Sequence, residues 1–139
     1  MTAEDLAAAL TIHSADGQLP DSFAHQNWPN NFGFPADCLR KRPEKCNAYV
    51  TDVNGDGEDE VVVLIEPAAV VYSRDTGGKW IDIGRWNLPY NCRPLLDAMR
   101  AGNYEMLAPE PSPWRDLSVG GERIPFQPSG GRGRVTCPR

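Results

Sequence analysis

Apolar and polar positions change their period several times along this chain, and each change marks an element. In Thr2–Leu10, Leu6 and Leu10 stand one turn apart behind two acids, Glu4 and Asp5, and Thr2 sits where a cap belongs. That spacing predicts a short helix. Asp16-Gly17 and Leu19-Pro20 read as turns. From Phe23 to Pro35, Trp28, Phe32 and Phe34 lie among Asn, Gly and Pro without a period, which predicts irregular structure held by aromatic anchors. The runs Ala48–Asp52, Glu60–Ile65, Ala69–Arg74 and Trp80–Trp86 are β-branched or aromatic, and Asp75-Thr76-Gly77-Gly78 is a hairpin turn. Together they predict a meander of about four antiparallel strands. Helical spacing returns at Asn91–Ala101: Leu95, Leu96 and Met99 share a face, Asn91 can cap it, Pro94 suits the first turn and Gly102 ends it. Pro109, Pro111 and Pro113 form a stiff connector. Trp114–Val119 and Glu122–Phe126 then flank Gly120-Gly121 as a second hairpin, and a Gly- and Arg-rich stretch runs to Cys137.

These elements predict a single α+β domain over residues 1–139, with a small meander and a C-terminal hairpin packed by one or two short helices. The 139-residue length suits one modest core, and 13 Gly with 13 Pro make it loop-rich. A formal net charge of −5 argues against a nucleic-acid-binding face.

Cysteine usage sharpens the picture. The four cysteines, Cys38, Cys46, Cys92 and Cys137, contain no CxxC pair, so a zinc site of the usual kind is not expected. An even count suits two disulfides, with three possible connectivities; four reduced thiols are the alternative. We favour Cys38–Cys46, which closes a short loop containing Pro43, and Cys92–Cys137, which ties down the tail. Disulfides place the domain in a periplasmic or extracellular setting. The acidic start, Met1-Thr2-Ala3-Glu4-Asp5, lacks the basic character of a signal peptide, and no apolar run approaches the ~18 residues of a membrane span. Export is therefore expected to depend on sequence upstream of this piece.

The sharpest chemical signal is Asp52-Val53-Asn54-Gly55-Asp56-Gly57-Glu58-Asp59-Glu60. Alternate positions of a tight loop converge, so Asp52, Asn54 and Asp56 offer side-chain oxygens, Glu58 its carbonyl and Glu60 a closing carboxylate. Gly57 allows the sharp turn, and Asp59 is expected to face solvent. Hard oxygen donors in a flexible loop suit Ca²⁺. An EF-hand needs a glutamate at the twelfth position, where this chain has Val63 inside a strand. The competing reading is a metal-free acidic turn that satisfies its own backbone.

The loop resembles the loop-strand calcium motif of integrin-type propeller repeats, the FG-GAP class, in which Asp-x-Asn-Gly-Asp-Gly-x-x-(Asp/Glu) precedes apolar residues. Asp52, Asn54, Asp56, Gly57 and Glu60 match, although no second copy of the loop exists to build further blades. Over most of its length the chain is similar to the C-terminal soluble region of uncharacterised bacterial multi-pass membrane proteins, a domain of unknown function. The leading helix, Leu19-Pro20, Cys38, Cys46, Asp52–Val63 and Trp114-Arg115-Asp116-Leu117 carry that resemblance. It implies export by upstream membrane helices and supplies no catalytic residues.

Other groups are weighed against plainer roles. His13 and His25 stand near Ser14 and Ser22 but in no nucleophile motif. Arg40, Lys41, Arg42 and Lys45 could meet an anionic surface, though such a run is more often a solvated loop. Trp28, Trp80, Trp86 and Trp114 could line a groove, though packing is the commoner use. The expected function is a non-enzymatic, monomeric, calcium-binding interaction or sensory module of a larger membrane protein, with a protein or cell-envelope partner. The alternative is a secreted hydrolase or inhibitor with an unrecognised site.

Overall fold

A computed structural model describes residues 3–14, 16–28, 38, 46–65, 68–88, 92–107 and 115–128. The described structure is mostly β. Its frame is a six-stranded sheet in the order β1-β2-β3-β4-β5-β9, beside a three-stranded sheet, β6-β7-β8. The main strands are β1 (Leu10–His13), β2 (Cys46–Thr51), β3 (Glu60–Ile65), β4 (Ala68–Arg74), β5 (Trp80–Asn87) and β9 (Phe126–Pro128). The small sheet holds β6 (Tyr104–Met106), β7 (Leu117–Val119) and β8 (Glu122–Ile124). The helices described along their whole length are α1 (Ala3–Ala9), α2 (Asp21–Ala24) and α3 (Arg93–Arg100).

The meander β2–β5 forms as its pattern predicts, antiparallel throughout. In β3, Glu60 to Leu64 are all buried, as befits a central strand covered on both faces. Its alternation divides the interior in two. Val62 and Leu64 face α3 and the small sheet, in a core with Tyr49, Val53, Val71, Trp86, Leu95 and Met99. Val61 and Val63 face α1 and α2, in a core with Leu6, Phe23, Val70, Tyr72 and Trp80. Trp80 and Trp86 thus belong to packed interiors, at 2% and 1% exposure, rather than to an open groove.

Four expectations need correction. The sheet is mixed, not a purely antiparallel meander of about four strands: Leu10–His13 pairs in parallel with Cys46–Tyr49. Leu10 therefore begins a strand instead of ending a helix, although it is buried with Leu6 as expected. Phe126 does not extend the C-terminal hairpin. After Pro125 the chain crosses to the main sheet, where Phe126 pairs with Trp86 and Pro128 with Gly84. Gly84 makes this approach possible, because a Cβ there would lie 2.5 Å from the Phe126 ring and 2.4 Å from the Gln127 carbonyl. The hairpin itself, turned by Gly120 and Gly121 at φ 57° and 84°, joins β6 in a separate sheet. Within Phe23–Pro35, Phe23 lies in the helical turn α2 and is fully buried, with the Trp28 indole donating to its carbonyl at 2.9 Å.

Helix α3 buries Leu95, Leu96 and Met99 as its spacing predicts, with Pro in its first turn. It ends in a Schellman arrangement: the amides of Asn103 and Gly102 donate to the carbonyls of Ala98 and Met99, and Gly102 takes φ 77°. Cys92 occupies the N-cap, and the expected cap Asn91 lies outside the described residues. Cys38 and Cys46 are disulfide-bonded, with Cα atoms 5.5 Å apart. Cys92 is also in a disulfide. Its expected partner, Cys137, lies outside the described residues, as do Thr2, Phe32, Phe34, the 40–45 basic cluster, Pro109–Pro113 and Trp114. No described helix is long and apolar enough to cross a membrane.

Candidate metal centre

The acidic loop is the turn that joins β2 to β3, and Thr51 paired with Glu60 is the last rung below it. Two buried residues anchor its ends. Val53 is fully buried in the core beneath, and Glu60 is 2% exposed, the one buried charged residue among those described. Residues 55–59 between them face solvent.

The loop folds on its own side chains. Asp52 Oδ1 accepts from the Gly55 amide at 2.8 Å and the Asp56 amide at 3.3 Å, while Oδ2 accepts from Gly57 at 2.8 Å. Asn54 Oδ1 accepts from Asp56 at 3.2 Å, and Asp56 Oδ1 from Glu58 at 2.8 Å. Such nested turns explain why Asp and Asn alternate here. Gly55 and Gly57 supply the positive φ, 78° and 88°, that the wrapping requires. Below them, Glu60 Oε1 accepts from the Val53 amide at 2.7 Å, so the buried carboxylate spans the neck of the loop.

One carboxylate oxygen each from Asp52, Asp56 and Glu60 lies within 4.8 Å of the others. The sequence-derived set is thereby brought together for its three described carboxylates at positions one, five and nine. Asn54 is half-buried beside them; the side chains of Glu58 and Asp59 are exposed. The electrostatics split by depth. Burial pushes the Glu60 carboxyl up to about 7, with Asp56 and Asp52 adding repulsion and the Val53 amide opposing it. At Asp52, desolvation acts upward but is outweighed. The amides of Gly57, Gly55 and Asp56 and the Arg115 guanidinium hold that carboxyl below its ordinary range.

Arg115 is the neighbour that the local motif does not reveal. A Cβ on Gly55 would lie 3.0 Å from its Nη2. The Arg115 carbonyl accepts from the Trp86 indole at 2.9 Å, and its buried Nε has no hydrogen-bond partner. The only sequence hint was the Trp114-Arg115-Asp116-Leu117 segment, far along the chain.

The histidines sit elsewhere. His13 stacks on Tyr49 with centroids 4.6 Å apart and bonds Asn47 Oδ1 at 2.8 Å. His25 is the C-cap of α2. Ser14 donates to Asp16, and Ser22 accepts from the Trp80 indole. Comparison with protein-family profiles, curated proteins and solved structures found no match to any of them.

Proposed function

We propose that the Asp52–Glu60 loop is a structural calcium site in a non-enzymatic, extracytoplasmic interaction or sensory module. In this reading, upstream membrane-spanning sequence of a larger bacterial protein tethers the domain, and its partner is a protein or a cell-envelope component. The observation that carries the calcium reading is the convergence of three carboxylates within 4.8 Å, one of them buried. Like charges held this close favour a divalent cation, and all-oxygen donors of mixed type suit Ca²⁺ better than the stricter octahedron of Mg²⁺. Asn54 would add a neutral side-chain oxygen and Glu58 its carbonyl. The Cys38–Cys46 disulfide supports an oxidising compartment.

Calorimetry and thermal melts test the site. Extracellular calcium modules commonly bind with Kd near ~10⁻⁴–10⁻³ M. At ~1 mM calcium and a Kd of ~0.1 mM, linkage adds about 1.4 kcal/mol, a rise of a few degrees in Tm over the EDTA sample. Asp56→Ala should abolish the rise, and magnesium should reproduce it poorly. Superimposable wild-type melts with and without calcium, together with a flat calorimetric trace, would return the loop to an ordinary acidic turn.

A further inference from the structure

We propose that Arg115 is the resident counter-charge of the acidic loop, and that it sets the loop's cation affinity by opposing the incoming ion. The first half stands on geometry alone; the second rests on the calcium reading.

Arg115 is distant in sequence from the loop, yet its guanidinium lies against Gly55 at the loop's crest. Its backbone is held at its carbonyl and at the residue that follows. The Trp86 indole holds its carbonyl. The next residue, Asp116, accepts the Phe126 amide at 2.9 Å and the Arg123 Nε at 3.0 Å on its carboxylate, and the Leu107 amide at 2.9 Å on its carbonyl. The small sheet and the main sheet together therefore present this cation to the loop. Its buried Nε goes unpaired, a costly arrangement that side-chain bonding within the protein does not explain. Attraction to the loop's negative field accounts for a guanidinium held there. The amide of that same Gly55 donates to Asp52 Oδ1 at 2.8 Å, so the guanidinium and the Asp52 carboxylate meet at one residue of the loop. A glycine at 55 is then required twice, for its φ of 78° and for the room that Nη2 takes.

A fixed positive charge beside a divalent site repels the ion across the loop. Removing it should tighten binding, while keeping the charge on another frame should not. The experiment is a calcium titration by calorimetry on the wild type, Arg115→Gln and Arg115→Lys at low ionic strength, with Arg93→Gln, an exposed cation at the start of α3, as a charge control that touches neither the loop nor Asp116. We expect Arg115→Gln to bind roughly three- to tenfold more tightly than the wild type. Arg115→Lys and Arg93→Gln should stay near it, and the gap should narrow in high salt. Equal affinities for the Gln and Lys variants would overturn the competition. A second measurement does not depend on calcium. In EDTA, Arg115→Gln should lower the melting midpoint, and lower it less when Asp52→Asn is already present. An equal loss in both backgrounds would overturn the counter-charge. If wild type gives no calcium signal, the calcium reading fails by itself. Binding by Arg115→Gln would then support the proposal, and its failure to bind would overturn the competition, leaving the EDTA cycle to decide the counter-charge.

Discussion

Glu60 is a carboxyl that gains a proton more readily in the folded chain than in the unfolded one. Its value rises from 4.5 to about 7, first through burial and then through Asp56 and Asp52. For a raised acid, the stabilising form is the neutral one. That stability is present below 4.5 and is lost as pH rises through 7, where the fold must hold a buried charge. Without metal, we expect unfolding free energy to fall by on the order of 2–3 kcal/mol across that interval through this residue. Urea melts in EDTA at several pH values will show it, and Glu60→Gln should flatten the curve; an unchanged slope in the variant would assign it to other groups. Gly84 makes a different demand. Its φ of 152° and the 2.4 Å approach of the Gln127 carbonyl leave no space for a methyl group. Gly84→Ala should cost roughly 2–4 kcal/mol, since backbone must move to admit it. A loss under ~1 kcal/mol in a urea titration would mean that β9 yields easily.

Among the elements, those whose partners are near in sequence were legible. The β2–β5 strands declare themselves by β-branched runs, and α3 by Leu95, Leu96 and Met99 at helical spacing. The loop was legible because Asp52, Asp56 and Glu60 lie within one short stretch of chain. What escaped was set by distant contacts. Leu10 fits a helix face as well as a strand, and pairing with Cys46 decides the matter. Tyr104–Met106 is a three-residue strand with no period to detect, and it exists because Val119, Ser118 and Leu117 lie opposite. Phe126 belongs to β9 because Gly84 admits it. The Cys38–Cys46 bridge, separated by 8 positions, fixes the start of β2 against the core beneath α1 and α2. Replacing both cysteines by serine should lower stability by about 2–3 kcal/mol in the chain-entropy account. Paired thermal melts of oxidised wild type and the double variant measure this, and identical midpoints would make the bridge incidental.

At the scale of the molecule, both interiors lean on the same strands: Val62 and Val63 are neighbours in β3, yet each belongs to a different core. Neither core can empty without stripping a face of the sheet, so both should melt together. Trp80 reports one core and Trp86 the other. Fluorescence melts of Trp86→Phe and Trp80→Phe, each made in a chain whose Trp28 and Trp114 are also Phe and each compared with the same variant's circular dichroism, should show coincident transitions; a probe that departs from its own variant's global signal would reveal two units. The strand order also carries a kinetic meaning. The four inner strands pair with their immediate neighbours in sequence, whereas the outer rungs, Leu10 with Cys46 and Trp86 with Phe126, close over long stretches of chain. Loop closure makes such rungs slow to form. The inner hairpins, with the acidic loop as one of their turns, should thus assemble in the rate-limiting transition state, and the edges should zip on afterwards. Substitutions in β3 would then slow refolding, while those in β1 or β9 would chiefly hasten unfolding. If the loop takes up calcium as proposed, an ion that tightens the β2–β3 turn would act on the nucleus itself, and calcium would speed folding besides stabilising its product.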